Sequence, residues 1–303
     1  MSGPTLAQRM ERAARGGPAI PGFNIPYLPM LEPVVRALRD CDAFGLVMVA
    51  RLEWEKFESR SLEAVAAEYE RHRSERHTRL HLDHVPVVDE DDRRVDYLAI
   101  IGRAITAGYE SVMVDGSRLP FAENAACTKE VVDLAHAAGV PVEAELGAVL
   151  GHEAGPLPPY DELFASGKGF TDSDEAAAFV QATGVDWLSV AIGNIHGAIA
   201  AATRGKAKVA ARLSLERLAL LRDAAGIPLV LHGGTGIRKA DVLAAVRLGI
   251  AKINVATAIR QPYEANLNRG VDAAREAVYR TMLTLLRDEL ELEHSAEKLG
   301  VEA

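Results

Sequence analysis

The chain has 303 residues, within the usual range of one α/β barrel, and no internal repeat or low-complexity tract. Its formal net charge of −9 argues against nucleic acid as a partner, while leaving an anionic substrate open, because local field outweighs net charge. The two cysteines, Cys41 and Cys127, are too few for a disulfide framework and have no zinc-like neighbours, so a reduced, cytoplasmic setting is expected.

The segment 1–17 is polar and charged and lacks the apolar core of a signal peptide. No run approaches the ~18 apolar residues of a membrane span. From there, short apolar runs alternate with amphipathic segments. A strand pattern at 19–24 precedes a helical one at 30–41, and 45–50 precedes 62–72. Strand 79–83 leads to helix 92–107, and 111–115 leads to 122–138. Strand 140–145 is followed by a Gly- and Pro-rich connection, about 147–170, and then helix 173–183. Strand 187–192 is followed by a basic connection, 197–212, carrying Arg204, Lys206 and Lys208, and then helix 215–225. Strand 228–231 with helix 239–248, and strand 251–255, complete eight units. A charged helical segment, about 258–303, then runs to the end as a flanking helix or a subunit contact.

Such alternation implies a parallel sheet with right-handed crossovers. Eight units favour a closed (β/α)8 TIM barrel in a single domain, 1–303, over an open sheet, and no early Gly-x-Gly-x-x-Gly turn supports a dinucleotide fold. Thr171, three residues before Asp174, reads as a helix cap, and Gly139 and Gly226 read as helix stops with Pro141 and Pro228 just beyond. The two long connections are either active-site lids or surface insertions and oligomer contacts.

Three histidine-bearing segments each close a strand pattern: His81-Leu82-Asp83-His84, Gly193-Asn194-Ile195-His196-Gly197 and His232-Gly233-Gly234-Thr235-Gly236. The C-terminal ends of barrel strands converge on one face. Three imidazoles there can hold a divalent metal and leave a position open for substrate. Asp83, next to His84, can exchange protons with an oxygen that the metal polarises. His81 lies within the strand and reads as a packing or orienting side chain. Glu143 and Glu145 share a face by the period of two. Either Glu145 is a fourth or alternate ligand with Glu143 behind it, or both fill a polar layer of the barrel interior. The loops His232–Gly236 and Asn254-Val255-Ala256-Thr257 follow strands seven and eight, where helix N-termini of this fold bind phosphate.

Taken in order, these motifs resemble the class II, zinc-dependent fructose-bisphosphate and tagatose-bisphosphate aldolases. The likeness runs from Gly22-Phe23-Asn24 through His81–His84, Ser111–Ser117, Val142–Gly147, Gly193–Gly197 and Leu231–Gly236 to Lys252–Thr257. It implies a TIM barrel that reversibly cleaves a phosphorylated ketose, of the ketose bisphosphate type, into dihydroxyacetone phosphate and an aldehyde. It implies Zn2+ on His84, His196 and His232, with Glu145 as alternate ligand, Asp83 as the acid/base and Glu153 as the proton-transfer group. It implies phosphate binding by Gly197, Gly233, Gly234, Thr235, Asn254, Val255, Ala256 and Thr257, with Asn24 also at the substrate. A monovalent cation near His196-Gly197 and Gly233, and a homodimer or homotetramer, belong to the same implication.

Three segments depart from the family pattern. After strand two, a small Ser/Gly-type loop is replaced by Ala50-Arg51-Leu52-Glu53-Trp54-Glu55. Arg118 stands where a histidine is common, and Ala198-Ile199-Ala200 opens a long basic loop after His196-Gly197. The aldehyde pocket is therefore expected to differ. Arg51, directly after strand two, is the first candidate to grip a distal anion; otherwise it is a solvated surface charge. Two alternatives stand beside the bisphosphate aldolase: an aldolase whose substrate lacks the second phosphate, and a metal-bearing sugar-phosphate binding or regulatory protein. Simple binding needs neither Asp83 nor Glu153.

Overall fold

The structure is a computed structural model that describes residues 3–147, 160–194, 211–234 and 236–300, with only the backbone of Leu163. Eight parallel strands close on themselves: β1 (Ile20–Asn24), β2 (Gly45–Ala50), β3 (Thr78–Pro86), β4 (Ser111–Asp115), β5 (Val142–Leu146), β6 (Trp187–Val190), β7 (Leu229–Leu231) and β8 (Ile250–Val255). β8 pairs back onto β1, with Ile20 opposite Lys252 and Gly22 opposite Asn254. This is the (β/α)8 TIM barrel. Strands covered on both faces read as continuous apolar runs, and every residue of β2 and β8 is buried.

The helices are α1 (Leu6–Ala14), α2 (Leu31–Asp40), α3 (Arg51–Lys56), α4 (Leu62–His72), α5 (Tyr97–Thr106), α6 (Phe121–His136) and α7 (Tyr160–Ser166). They continue with α8 (Ser173–Thr183), α9 (Leu215–Ala225), α10 (Lys239–Arg247), α11 (Thr257–Asn266), α12 (Val271–Thr284) and α13 (Ser295–Gly300). Side-chain caps fix several starts. Ser61 accepts the Ala64 N–H, Asp96 that of Ala99, and Ser214 that of Arg217. Gly184 and Gly226 end α8 and α9 in the left-handed conformation that lacks a Cβ penalty. Among the described residues, no helix is long and apolar enough to cross a membrane.

Four details differ from the sequence reading. The cap of α8 is Asp172, which accepts the N–H groups of Asp174 and Glu175. Thr171 instead donates its hydroxyl to the Leu146 carbonyl and accepts the Ala191 N–H, tying β5 to the chain after β6. α5 starts at Tyr97 rather than near 92, because Asp89 folds the preceding turn by accepting the Asp91 and Arg93 N–H groups. α3 has no counterpart among the expected elements. The C-terminal segment is broken at Gly270 and again after the π-turn Leu285–Glu289, so it is several helices rather than one.

The polar start of the chain hides an amphipathic helix. α1 buries Leu6, Met10 and Ala13, which pack with Ala296 and Leu299 of α13 against Ile20, Phe44, Leu46, Met48, Trp187, Val230 and Ala251. This cluster floors the barrel at the strands' N-terminal end. Arg9 lies 4.3 Å over the Phe44 ring, and Arg12 donates to the Leu299 carbonyl at 2.7 Å. Phe44 is wholly buried in that floor. Phe44→Ala is expected to lower stability by about 3–5 kcal/mol, read as a shift in the urea midpoint at constant m. A change under about 1 kcal/mol would show that the floor does not hold the barrel closed.

Candidate active site

The C-terminal ends of the strands converge as a barrel requires. Asn24 ends β1, Asp83 and His84 lie in β3, and Asp115 ends β4. Glu145 is next to last in β5, His232 directly follows β7, and Asn254 is next to last in β8.

Asp83 and His84 are adjacent, and in a regular strand adjacent side chains point to opposite faces. β3 breaks that rule. Its register with β4 runs Leu82 to Val112 and then Val85 to Val114, so Asp83 and His84 together fill the interval that Met113 fills alone. His84 takes a positive φ of 29°, a strained conformation for a residue with a Cβ. Such a bulge re-aims side chains. Asp83 and His84 thereby enter the same site, with the His84 ring 4.6 Å from that of His232.

Asp83 is almost fully buried and held at both oxygens. Asn24 Nδ2 donates to Oδ2 and Asn254 Nδ2 to Oδ1, each at 2.9 Å. Burial opposes its charge, but the positive field of His84, then of Lys252, His232 and His81, wins and holds the carboxyl at about 2. His84 Nδ1 lies 3.1 Å from Asp115 Oδ2. Burial would lower the His84 imidazole, yet Asp83 first and then Asp115 and Glu145 raise it to about 10. His232 meets carboxylates at both ring nitrogens: Nε2 is 2.8 Å from Glu143 Oε1, and Nδ1 is 3.1 Å from Glu145 Oε2. Asp83, His84 and His232 offer ligand atoms within 4.8 Å of one another, and so do His84, Asp115 and Glu145. Imidazole nitrogen with carboxylate oxygen is the donor set that zinc and similar divalent ions take, so these residues fit such an ion.

Beneath this lies a second buried layer. Glu143 Oε2 accepts from Lys252 Nζ at 2.8 Å and from Trp187 Nε1 at 2.9 Å. His81 Nε2 is 3.6 Å from the same oxygen, while its Nδ1 bonds Ser111 Oγ at 2.7 Å. His81, Glu143 and Lys252 are wholly buried. Burial, and after it the charge of Lys252, lowers the His81 imidazole to about 3, leaving it neutral. Glu143 is held well below the usual carboxylate range despite its burial, chiefly by Lys252.

On the opposite rim, Gly233 has φ 68°, and the Gly234 N–H is donated to the Asn254 carbonyl at 3.2 Å. A Cβ on Gly234 would lie 2.9 Å from that carbonyl oxygen, so the loop sits directly on β8. Val255 and Ala256 lead into α11, whose first residue is Thr257. Arg51 opens α3 and pairs with Glu55 at 3.4 Å and Asp89 at 3.5 Å. Arg118 donates to the Asp89 carbonyl and pairs with Asp92 at 2.7 Å. Glu153, His196, Gly197, Thr235, Arg204, Lys206 and Lys208 lie outside the described residues.

A family model for class II fructose-bisphosphate aldolase matches residues 4–298. The chain belongs to the class II fructose-bisphosphate aldolase family. The structure is similar to that of the YdjI aldolase from Escherichia coli K12, at 29% identity and a TM-score of 0.74 over 95% of this chain and 97% of that one. The fold is shared with a fructose-bisphosphate aldolase from Campylobacter jejuni, at 16% identity and a TM-score of 0.70 over 97% of each chain.

Sequence reasoning passed over three residues that this aldolase-family site contains. Asp115 ends a strand pattern and was open to the same rule that found Asp83. Lys252 is a lysine inside an apolar strand, which marks a buried charge in need of a partner. Glu53 falls in the segment after strand two that departs from the family pattern, but with α3 not expected there, Arg51 rather than Glu53 is the residue the sequence points to.

The buried pair yields a stability test. Lys252→Met leaves Glu143 without its cation and is expected to cost about 3–5 kcal/mol in chemical unfolding. Adding Glu143→Gln is expected to recover part of that loss, since a neutral amide needs no counter-charge. A double variant no more stable than Lys252→Met would show that the two charges do not depend on each other.

Proposed function

We propose that this chain is a divalent-metal-dependent aldolase that reversibly cleaves a phosphorylated ketose into dihydroxyacetone phosphate and an aldehyde. The observation that carries the reading is the convergence of Asp83, His84, Glu145 and His232 at the C-terminal mouth, with Asp83 fixed at both oxygens by amides. His84 and His232 would hold the metal together with His196, and Glu145 stands as the alternate ligand. When bound, the ion supplies Lewis-acid polarisation of the ketone and stabilises the charge of the enediolate.

The chain's own groups do the rest. Asn24 and Asn254 leave Asp83 no freedom to rotate, so its carboxylate is aimed before substrate arrives. In cleavage Asp83 takes the proton from the hydroxyl whose carbon becomes the aldehyde, and it returns that proton in condensation. Glu153 exchanges the proton at the enediolate carbon. The ketone-side phosphate is held by backbone N–H groups of Gly233 and of the head of α11, where Val255, Ala256 and Thr257 present the positive end of the helix. Asp115 and Glu143 orient the two imidazoles from behind, as carboxylates do for metal-bound histidines.

Four outcomes test this reading. Elemental analysis should give about one divalent ion per chain, with His84→Ala and His232→Ala each losing most of it. Full occupancy in both variants would remove the metal assignment. Glu143→Gln should weaken metal affinity about 10- to 100-fold in a chelator competition, because His232 loses the charged acceptor that orients it. Asp83→Asn should keep the metal while losing cleavage by ~10²–10⁴-fold. Near-normal turnover in Asp83→Asn would take the acid/base role away. Deuterium exchange into dihydroxyacetone phosphate separates an aldolase, which exchanges one carbon-bound proton without any aldehyde, from a protein that only binds sugar phosphates.

A further inference from the structure

Glu53 is the third residue of α3, so it stands at the same end of the barrel as Asp83. It is only 7% exposed. Its Oε2 accepts the Ala50 backbone N–H at 2.8 Å and the Asn24 side-chain amide at 3.4 Å. The same amide nitrogen lies 2.9 Å from Asp83 Oδ2, so one asparagine bridges the two carboxyl groups. The other oxygen, Oε1, takes no hydrogen bond from a described residue. A carboxyl this buried normally has its partners met within the protein. One left with an open oxygen beside a proton-transfer group is placed to meet a ligand.

Burial, with Asp83 close by, pushes the Glu53 carboxyl up to about 8. At neutral pH it therefore carries a proton. With Oε2 occupied by two N–H donors, that proton sits on Oε1, which then both donates and accepts, as a hydroxyl partner must. Among the described residues, the same surroundings suit a phosphate poorly. The backbone N–H of Ala50, at the head of α3, is taken by Glu53 itself. Arg51 is engaged by Glu55 and Asp89, and Arg118 by Asp92 and the Asp89 carbonyl.

We propose that Glu53 is a specificity-determining residue that hydrogen-bonds a hydroxyl of the aldehyde half of the ketose, so that this half is an uncharged hydroxyaldehyde rather than a phosphorylated one. The proposal rests on the aldolase reading above, with Asp83 at the carbon that becomes the aldehyde.

The test uses the metal-loaded protein with dihydroxyacetone phosphate, and compares glyceraldehyde with glyceraldehyde 3-phosphate as acceptor. Wild type is expected to show kcat/KM at least about tenfold higher for glyceraldehyde. In Glu53→Ala the KM for glyceraldehyde should rise about 10- to 100-fold, the scale of one lost buried hydrogen bond. The ratio of condensation to deuterium exchange on dihydroxyacetone phosphate should fall with it. Glu53→Gln, which keeps a donor and an acceptor at the same place, should restore most of the preference, whereas a merely structural role predicts no link between rescue and acceptor. A wild type that favours glyceraldehyde 3-phosphate, or that exchanges deuterium yet condenses neither acceptor, overturns the assignment of Glu53. A Glu53→Ala protein with unchanged acceptor preference overturns it as well. If wild type with full metal shows no deuterium exchange at all, the aldolase reading itself fails, and that result is distinct from the others.

Discussion

The site depends on one irregularity in β3. Asp83 and His84 enter the same site, yet as sequence neighbours in a strand they belong to opposite faces. The bulge against β4 and the positive φ of His84 resolve the conflict at the cost of local strain. What holds the strained residue is visible in its contacts: Asp115 at its Nδ1 and the His232 ring beside it on one side, and the Asn24 and Asn254 amides on Asp83 on the other. Those groups come from β1, β4, β8 and the turn after β7. The bulge is thus over-determined by strands on both sides of it, and the pre-aimed pair exists only because the barrel is closed.

Closure also brings many charged groups out of water, and their arrangement sets opposite charges against one another. Four carboxylates, those of Asp83, Asp115, Glu143 and Glu145, meet His84, His232 and Lys252 at or just below the mouth. No single pair would repay its desolvation. Glu143 instead meets Lys252, Trp187 and His232 together. Such a network is rigid, because moving one member leaves another unsatisfied. Rigidity below the site would keep the imidazole rings oriented toward a cation bound above it.

The eight-fold alternation made the fold legible, since each buried strand is a run of branched apolar residues between amphipathic helices. The strand-end rule brought Asp83, His84, Glu145, His232 and Asn254 together before any contact was seen, and the family resemblance added Asn24. It failed where a side chain's direction depends on irregular backbone. Period two puts His84 outside the barrel, and nothing in His81-Leu82-Asp83-His84 announces a bulge. It also failed where polar residues do apolar work. The start of the chain reads as a charged tail because Arg9, which α1 buries against Phe44, is charged like its exposed neighbours. The loop pattern points to Asn254 at the phosphate, and its side-chain amide bonds Asp83.

The mouth is chemically asymmetric, and that asymmetry orients a substrate. The rim formed by β7 and β8 presents backbone N–H groups and the head of α11, with Gly233 free to take its positive φ. The rim formed by β1, α3 and β3 presents oxygens: Asp83, Glu53 and, further out, Asp89 and Glu55, which neutralise Arg51. A molecule with one anionic end and one hydroxyl end can satisfy both rims in only one direction. On the proposed reading, its central carbons would then cross the space between His84, His232 and Asp83. On the same reading, the glycine turn after β7 would draw the anion, and the acidic loop after β2 would leave it only that end of the site to occupy.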